Sequence, residues 1–141
     1  MRAELAGRLA EVPGLSSLGP DDLRALVEAC HELHVRTGEV VVEEGDDSGD
    51  LLLVLRGHLS RRRGRDFAVL GPGAFVAPQA PLLDQPHAER VQALQRSQLA
   101  VLPADSWALL AASHAPIGLA VQRAILDQLL QDLVTLQERI P

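Results

Sequence analysis

Lysine, asparagine and tyrosine are absent from the 141 residues, so all 13 basic side chains are arginines, a bias that points to a GC-rich genome more than to any function. There is one cysteine, Cys30, which excludes an internal disulfide and fits a reducing compartment. It reads as a small buried hydrophobe at a helix end. No apolar run approaches the roughly 18 residues of a membrane span, and the opening MRAELAGRLAEV mixes charges into its apolar positions where a signal peptide would be uniformly apolar. The chain is therefore expected to be cytoplasmic, with no membrane partner. P-loop, nucleophile-elbow and dinucleotide glycine motifs are missing. So is a His-x-His metal pair: two residues separate His31 and His34, which on a strand sends them to opposite faces. No enzyme, no metal and no cofactor are expected. With a net charge of −6 the chain repels phosphate backbones, and the basic run RRRGR at 61–65 lacks interleaved aromatics. That run reads as a solvated hairpin edge in which alternate arginines face water, and no nucleic acid is expected to bind this chain alone.

What is present suits one domain with a real core. Leu5, Leu9 and Val12 are spaced as one face of a short helix that stops at Pro13-Gly14. A second helix opens at Pro20 with Asp21 and Asp22 at its positive end, and carries Leu23, Leu26, Val27 and Cys30 at helical spacing. The period then changes to two. Leu33 and Val35 alternate with polar neighbours, Thr37-Gly38 turns, 40–42 runs into the loop EEGDDSGD, and 51–55 has the length of a buried strand. Arg56-Gly57, Gly64 and Gly71-Pro72-Gly73 punctuate HLSRRR and FAVL, and two further strands follow at 90–94 and 98–102. Many short strands at such spacing indicate a sandwich, jelly roll or barrel.

The last third is helical. Pro103 ends the sheet, 104–113 forms one helix with Trp107, and Pro116 opens a long one reaching Ile140. Along it Leu119, Gln122, Leu126, Leu129, Leu133, Leu136 and Ile140 step by three and four, a heptad seam with one polar member. A second set, Ile117, Val121, Ile125, Leu130 and Val134, lies off the seam and is assigned to packing on the β domain. A helix apolar on two sides needs two partners, and the second is expected to be the same helix of another subunit.

Between Phe75 and the strand-like RVQAL stands APQAPLLDQPHAER, with three prolines in a stretch that interrupts the β pattern. The order of elements resembles the cyclic nucleotide-binding domain family of catabolite-activator-type regulators and gated channels. GLSSLGPDDLRALVEAC is similar to the family's opening segment, RTGEVVVEEGDDSGDLLLVLRGHL to its glycine-punctuated first strands, and LGPGAFV to the corner before its phosphate-binding cassette. The resemblance implies a mainly β fold with flanking helices: an eight-stranded jelly roll, then a short helix and a long dimerisation helix. Residues 1–141 form a single domain in this reading, with N-terminal helices in 1–30, the roll in 31–102, the cassette in 75–90 and C-terminal helices in 104–140.

The family cassette runs Phe-Gly-Glu, a one-turn helix, then Pro-Arg-Ser/Thr-Ala-Ser/Thr. Phe75, Ala80 and Pro86 match it, and Val76 and Gln79 fall within it. The resemblance places the family's glycine at Ala77, its ribose-binding glutamate at Pro78, its phosphate-binding arginine at His87 and the hydroxyl neighbour at Ala88. Pro78 and Pro81 also lack the N–H groups a helix start offers an anion. Arg90 reads as a solvated strand residue facing away from the position of His87, and His87 as a surface-loop histidine. The expectation is a homodimeric, non-catalytic regulatory or protein-interaction module that does not bind cyclic nucleotides in the family's manner, with another protein as a further partner. The alternative is a sensor of cyclic AMP, cyclic GMP or another small molecule in the same pocket, as the regulatory half of a transcription regulator. Such a regulator needs a helix-turn-helix after the dimer helix, which these residues do not include.

Overall fold

The protein is described here by a computed structural model, which covers residues 2–47 and 49–138. Helices α1 (Arg2–Ala10) and α2 (Pro20–Ala29) precede strands β1 (His31–Val35), β2 (Val40–Val42), β3 (Leu51–Arg56), β4 (Leu59–Arg63) and β5 (Asp66–Leu70). A one-turn helix α3 (Gln79–Leu83) is followed by β6 (Arg90–Ala93), β7 (Ser97–Leu102), α4 (Ala104–Ser113) and α5 (Ala115–Glu138). Helix α2 starts as its sequence dictates: Pro20 occupies the first turn, where its missing N–H is not needed, and Asp21 and Asp22 sit beside the positive end.

The strands form two antiparallel sheets, ordered β1-β7-β3 and β2-β6-β4-β5. A single bridge between Leu53 and Phe75 adds one more pairing, so the jelly roll is realised as seven strands and this bridge among the described residues. The run LLLVL shows no alternation because β3 is covered on both faces. Leu51, Leu53 and Leu55 join Leu5, Leu9, Leu26, Ile117 and Ile125 in the core under the helices. Val54 points the other way, into the roll with Val35, Leu59, Val76, Val91 and Leu99. Burial of both faces removes the polar half of a strand pattern. Leu33 departs from the expected alternation and is exposed, since β1 is an edge strand and only Val35 on it is buried. Cys30 is buried in the helix-side core at the end of α2.

Gly57 turns β3 into β4 at φ +90°, where a Cβ would lie 2.7 Å from both the Arg96 carbonyl oxygen and the Ser97 Cβ. Left-handed strain and steric overlap each cost on the order of 1 to 3 kcal/mol. Gly57→Ala is therefore expected to lower stability by about 3 kcal/mol in urea unfolding; an unchanged midpoint would contradict this account of the turn.

Candidate functional site

The segment entering the cassette is pinned from two sides. Val54 donates to the Ala74 carbonyl at 2.9 Å and Val76 to the Leu52 carbonyl at 2.8 Å, which lays 74–76 along β3. In an antiparallel pair the intervening backbone groups point away from the partner strand. Those of Phe75 do, and Gln128 of α5 meets both of them. The Phe75 N–H donates to Gln128 Oε1 at 2.7 Å, and Gln128 Nε2 donates to the Phe75 carbonyl at 2.8 Å. One side-chain amide thus acts as a one-residue strand and fastens the long helix to the cassette.

Ala77 comes next at φ +44°, a left-handed conformation that favours glycine. It is the position at which the resemblance places the family's glycine, and its conformation here is one that glycine adopts without strain. Ala77→Gly is expected to leave stability within about 1 kcal/mol, because relief of strain offsets a lost methyl and a freer unfolded chain. Ala77→Val should cost about 2 to 4 kcal/mol, since a β-branched residue in this region is strained and the site is full. Thermal unfolding of the two variants checks this, and equal midpoints would sink it.

The prolines do not abolish the short helix. Pro78 is the residue before its first turn and Pro81 lies within that turn, where N–H groups have no helical partner to lose. Asp84 ends it at φ +51°. The chain then returns against the loop that follows β2: His87 donates to the Asp46 carbonyl at 2.9 Å, and Gly45 donates to the His87 carbonyl at 2.8 Å. This clasp sets the alternation of the next residues. His87 and Glu89 are each only 4% exposed, whereas Ala88 and Arg90 are exposed. His87 is therefore not a surface-loop histidine: its backbone is clasped to Gly45 and Asp46, its side chain is buried, and its Nδ1 has no hydrogen-bond partner. Arg90 faces outward as its strand position implies, 3.5 Å from Glu43.

Glu89 is the residue the sequence pattern passed over. It falls where the family pattern carries alanine, and that mismatch was the available signal. Its Oε1 accepts a hydrogen bond from Gln79 Nε2 at 2.6 Å, which ties it to α3, and its Oε2 lies 3.7 Å from Arg61 Nε. Arg61 shares an inward face of β4 with the fully buried Leu59, and the pairing of Arg61 with Val91 makes Glu89 its diagonal neighbour. The guanidinium also meets Asp132 of α5 at 3.1 Å and Asp66 at 3.7 Å. Its side chain is only 15% exposed. The basic run is thus not wholly a solvated edge: β4 lies between β5 and β6, and while Arg62, Arg63 and Arg65 are exposed, Arg61 points inward. Gln79 Oε1 and Glu89 Oε2 are buried without hydrogen-bond partners, as is His87 Nδ1.

On α5 the two apolar sets part company. Ile117, Val121 and Ile125 are buried in the core, with Ala124. Leu119, Gln122, Leu126, Leu133 and Leu136 are exposed, Leu119 at 68%. Leu129 is partly buried against its own domain. Leu130 and Val134, assigned by spacing to the β domain, are exposed instead, because the second half of the helix meets the roll through Gln128 and Asp132, and residues two positions from these point to the opposite side. By helical spacing the exposed leucines lie opposite Ile117 and Ala124. Ile140 lies outside the described residues. Among the described residues no helix is long and apolar enough to cross a membrane.

The arrangement of roll, corner, one-turn helix and docked C-terminal helix has close counterparts. The solved cyclic nucleotide-binding domain from Methylobacillus flagellatus KT superposes with a TM-score of 0.84 at 20% identity, over 99% of this chain and 82% of that one. Thermus thermophilus catabolite activator protein gives 0.74 at 18% identity, over 89% of this chain and 62% of that one. The regulatory subunit of a cAMP-independent protein kinase A from Trypanosoma brucei gives 0.73 at 20%, over 86% and 44%. No curated protein sequence matches the chain. The family model described as Cyclic nucleotide-binding domain matches residues 32–114, more than half of the chain. These residues include both sheets, the corner and the whole cassette, and on that match the chain belongs to the cyclic nucleotide-binding domain family.

Proposed function

We propose that this chain is a homodimeric, non-catalytic regulatory module whose cassette does not bind cyclic nucleotides in the family's manner, and which acts through protein contacts. The observation that carries this reading is the cassette's inner face, formed on its returning segment by the buried His87 and Glu89, with Ala77 and Pro78 at the earlier contact positions. A cyclic phosphate is an anion at every accessible pH, and an unpaired anion is costly to bury. The exposed leucine stripe on α5 supports the dimer, and the Trypanosoma brucei regulatory subunit offers a precedent for this fold without dependence on cyclic AMP. Among the described residues no group of three His, Cys, Asp or Glu side chains is placed to hold a metal ion. Calorimetry with cyclic nucleotides and light scattering test the two halves. A micromolar site removes the first, and a monomer the second.

A second reading, a sensor of a less anionic molecule in the same pocket, draws support from the three buried polar atoms without partners on Gln79, His87 and Glu89. Buried groups of this kind are ordinarily satisfied by protein, water or ligand.

A further inference from the structure

We propose that Glu89 is the cassette's own counter-anion and the residue that sets it against phosphates. The inference rests on the reading that the cassette does not take cyclic nucleotides, and adds the reason. Among the described residues Arg61 is the cation paired with Glu89, and each of its three guanidinium nitrogens faces a carboxylate: Nε the Glu89 carboxylate, Nη1 that of Asp132 and Nη2 that of Asp66. The three partners differ in position. Asp66 and Asp132 are 37% and 41% exposed and are screened by water, whereas Glu89 is 4% exposed. The buried side of the guanidinium is therefore committed to Glu89 alone.

Glu89 is also held in place. The Gln79 amide fixes one oxygen from α3, and the clasp of His87 on Gly45 and Asp46 fixes the backbone two residues before it. An entering phosphate meets a held carboxylate instead of a free cation. Of the three unpartnered atoms at this face, Gln79 Oε1 and Glu89 Oε2 are acceptors and repel a phosphate oxygen; His87 Nδ1 is the one that can donate, and a single imidazole N–H does not replace a guanidinium beside a held carboxylate. Repulsion built against the wrong ligand is a recognised source of specificity, distinct from the mere absence of attractive contacts.

The experiment uses cyclic AMP as the probe, with ligand-observed NMR on the full chain at millimolar concentrations. Glu89→Gln removes the charge while keeping an oxygen for the Gln79 amide, and Glu89→Ala also opens space. Both are expected to lower the dissociation constant at least tenfold relative to wild type, and adding Arg61→Gln should abolish the gain. Folded variants with unchanged affinity overturn the proposal. So does failure of both variants to fold, which would make Glu89 a structural counter-ion only. Micromolar binding by wild type would instead sink the underlying reading of the cassette, so the two failures are distinguishable.

Discussion

Cyclic AMP and cyclic GMP titrated into the wild-type protein are expected to show no saturation in the micromolar range. Three charge-assisted contacts of the family pattern have no equivalent at Pro78, His87 and Ala88. Each such contact contributes about 1.5 to 3 kcal/mol, so their loss weakens binding by on the order of a thousandfold or more. Changing His87→Arg alone should help little, because the new guanidinium would share the inner face with Glu89 while the ribose contact at Pro78 stayed missing. The combination Ala77→Gly, Pro78→Glu, His87→Arg and Ala88→Ser should recover measurable binding. Of the four, Ala88→Ser should matter least, since Ala88 is exposed and lies off the face shared by His87 and Glu89. Adding Glu89→Ala should tighten the variant further. Titration calorimetry reads all of these. A silent five-residue variant that is folded would mean that Pro81 and the tight return at 85–89 have reshaped the pocket beyond repair by side chains.

The second large effect concerns assembly. Light scattering is expected to give twice the mass of one chain, and Leu126→Glu or Leu133→Glu should reduce it to one. Each would place two carboxylates against each other across a two-fold axis in an apolar seam, where burial of an uncompensated charge costs several kcal/mol. Both leucines are half exposed within the single chain, so the domain itself should keep its unfolding midpoint. Leu129→Glu, the centre of the heptad by spacing alone, is a poorer test. Leu129 packs partly against its own core, and its replacement would disturb folding and assembly together. A wild-type mass of one chain, or a dimer that survives both exposed substitutions, would remove the helix from the interface.

The fold was largely legible in the sequence because its signals are local. Pro20 with Asp21 and Asp22 marks a helix start, the glycines at 38, 45, 57 and 73 take the left-handed turns, and a five-residue apolar run between turn signals has the length of a strand covered on both faces. At the cassette the structure buries Phe75, Ala77 and Ala80 and gives Ala77 a left-handed, glycine-like backbone. The chemistry of the cassette was less legible, for a common reason. The inward turn of His87 and Glu89 depends on a clasp with residues some forty positions earlier, and the burial of Arg61 depends on Asp132, seventy-one positions later. Periodicity does not reach that far. The same limit explains Leu130 and Val134: spacing identifies an apolar face, but it is Gln128 and Asp132, through Phe75 and Arg61, that decide which side of the helix meets the roll.

The amide of Gln128 has a further consequence. Because the Phe75 N–H is held by a side chain of α5 and not by the sheet, its proton can exchange with solvent whenever that helix lifts, without any strand opening. Phe75 is in this sense a clock placed at the centre of the molecule: its exchange rate counts departures of the long helix, while those of Val54 and Val76 beside it count openings of the roll. Loosening at the long helix and loosening in the β domain are therefore written on neighbouring amides, as two separate lifetimes within a single turn of chain.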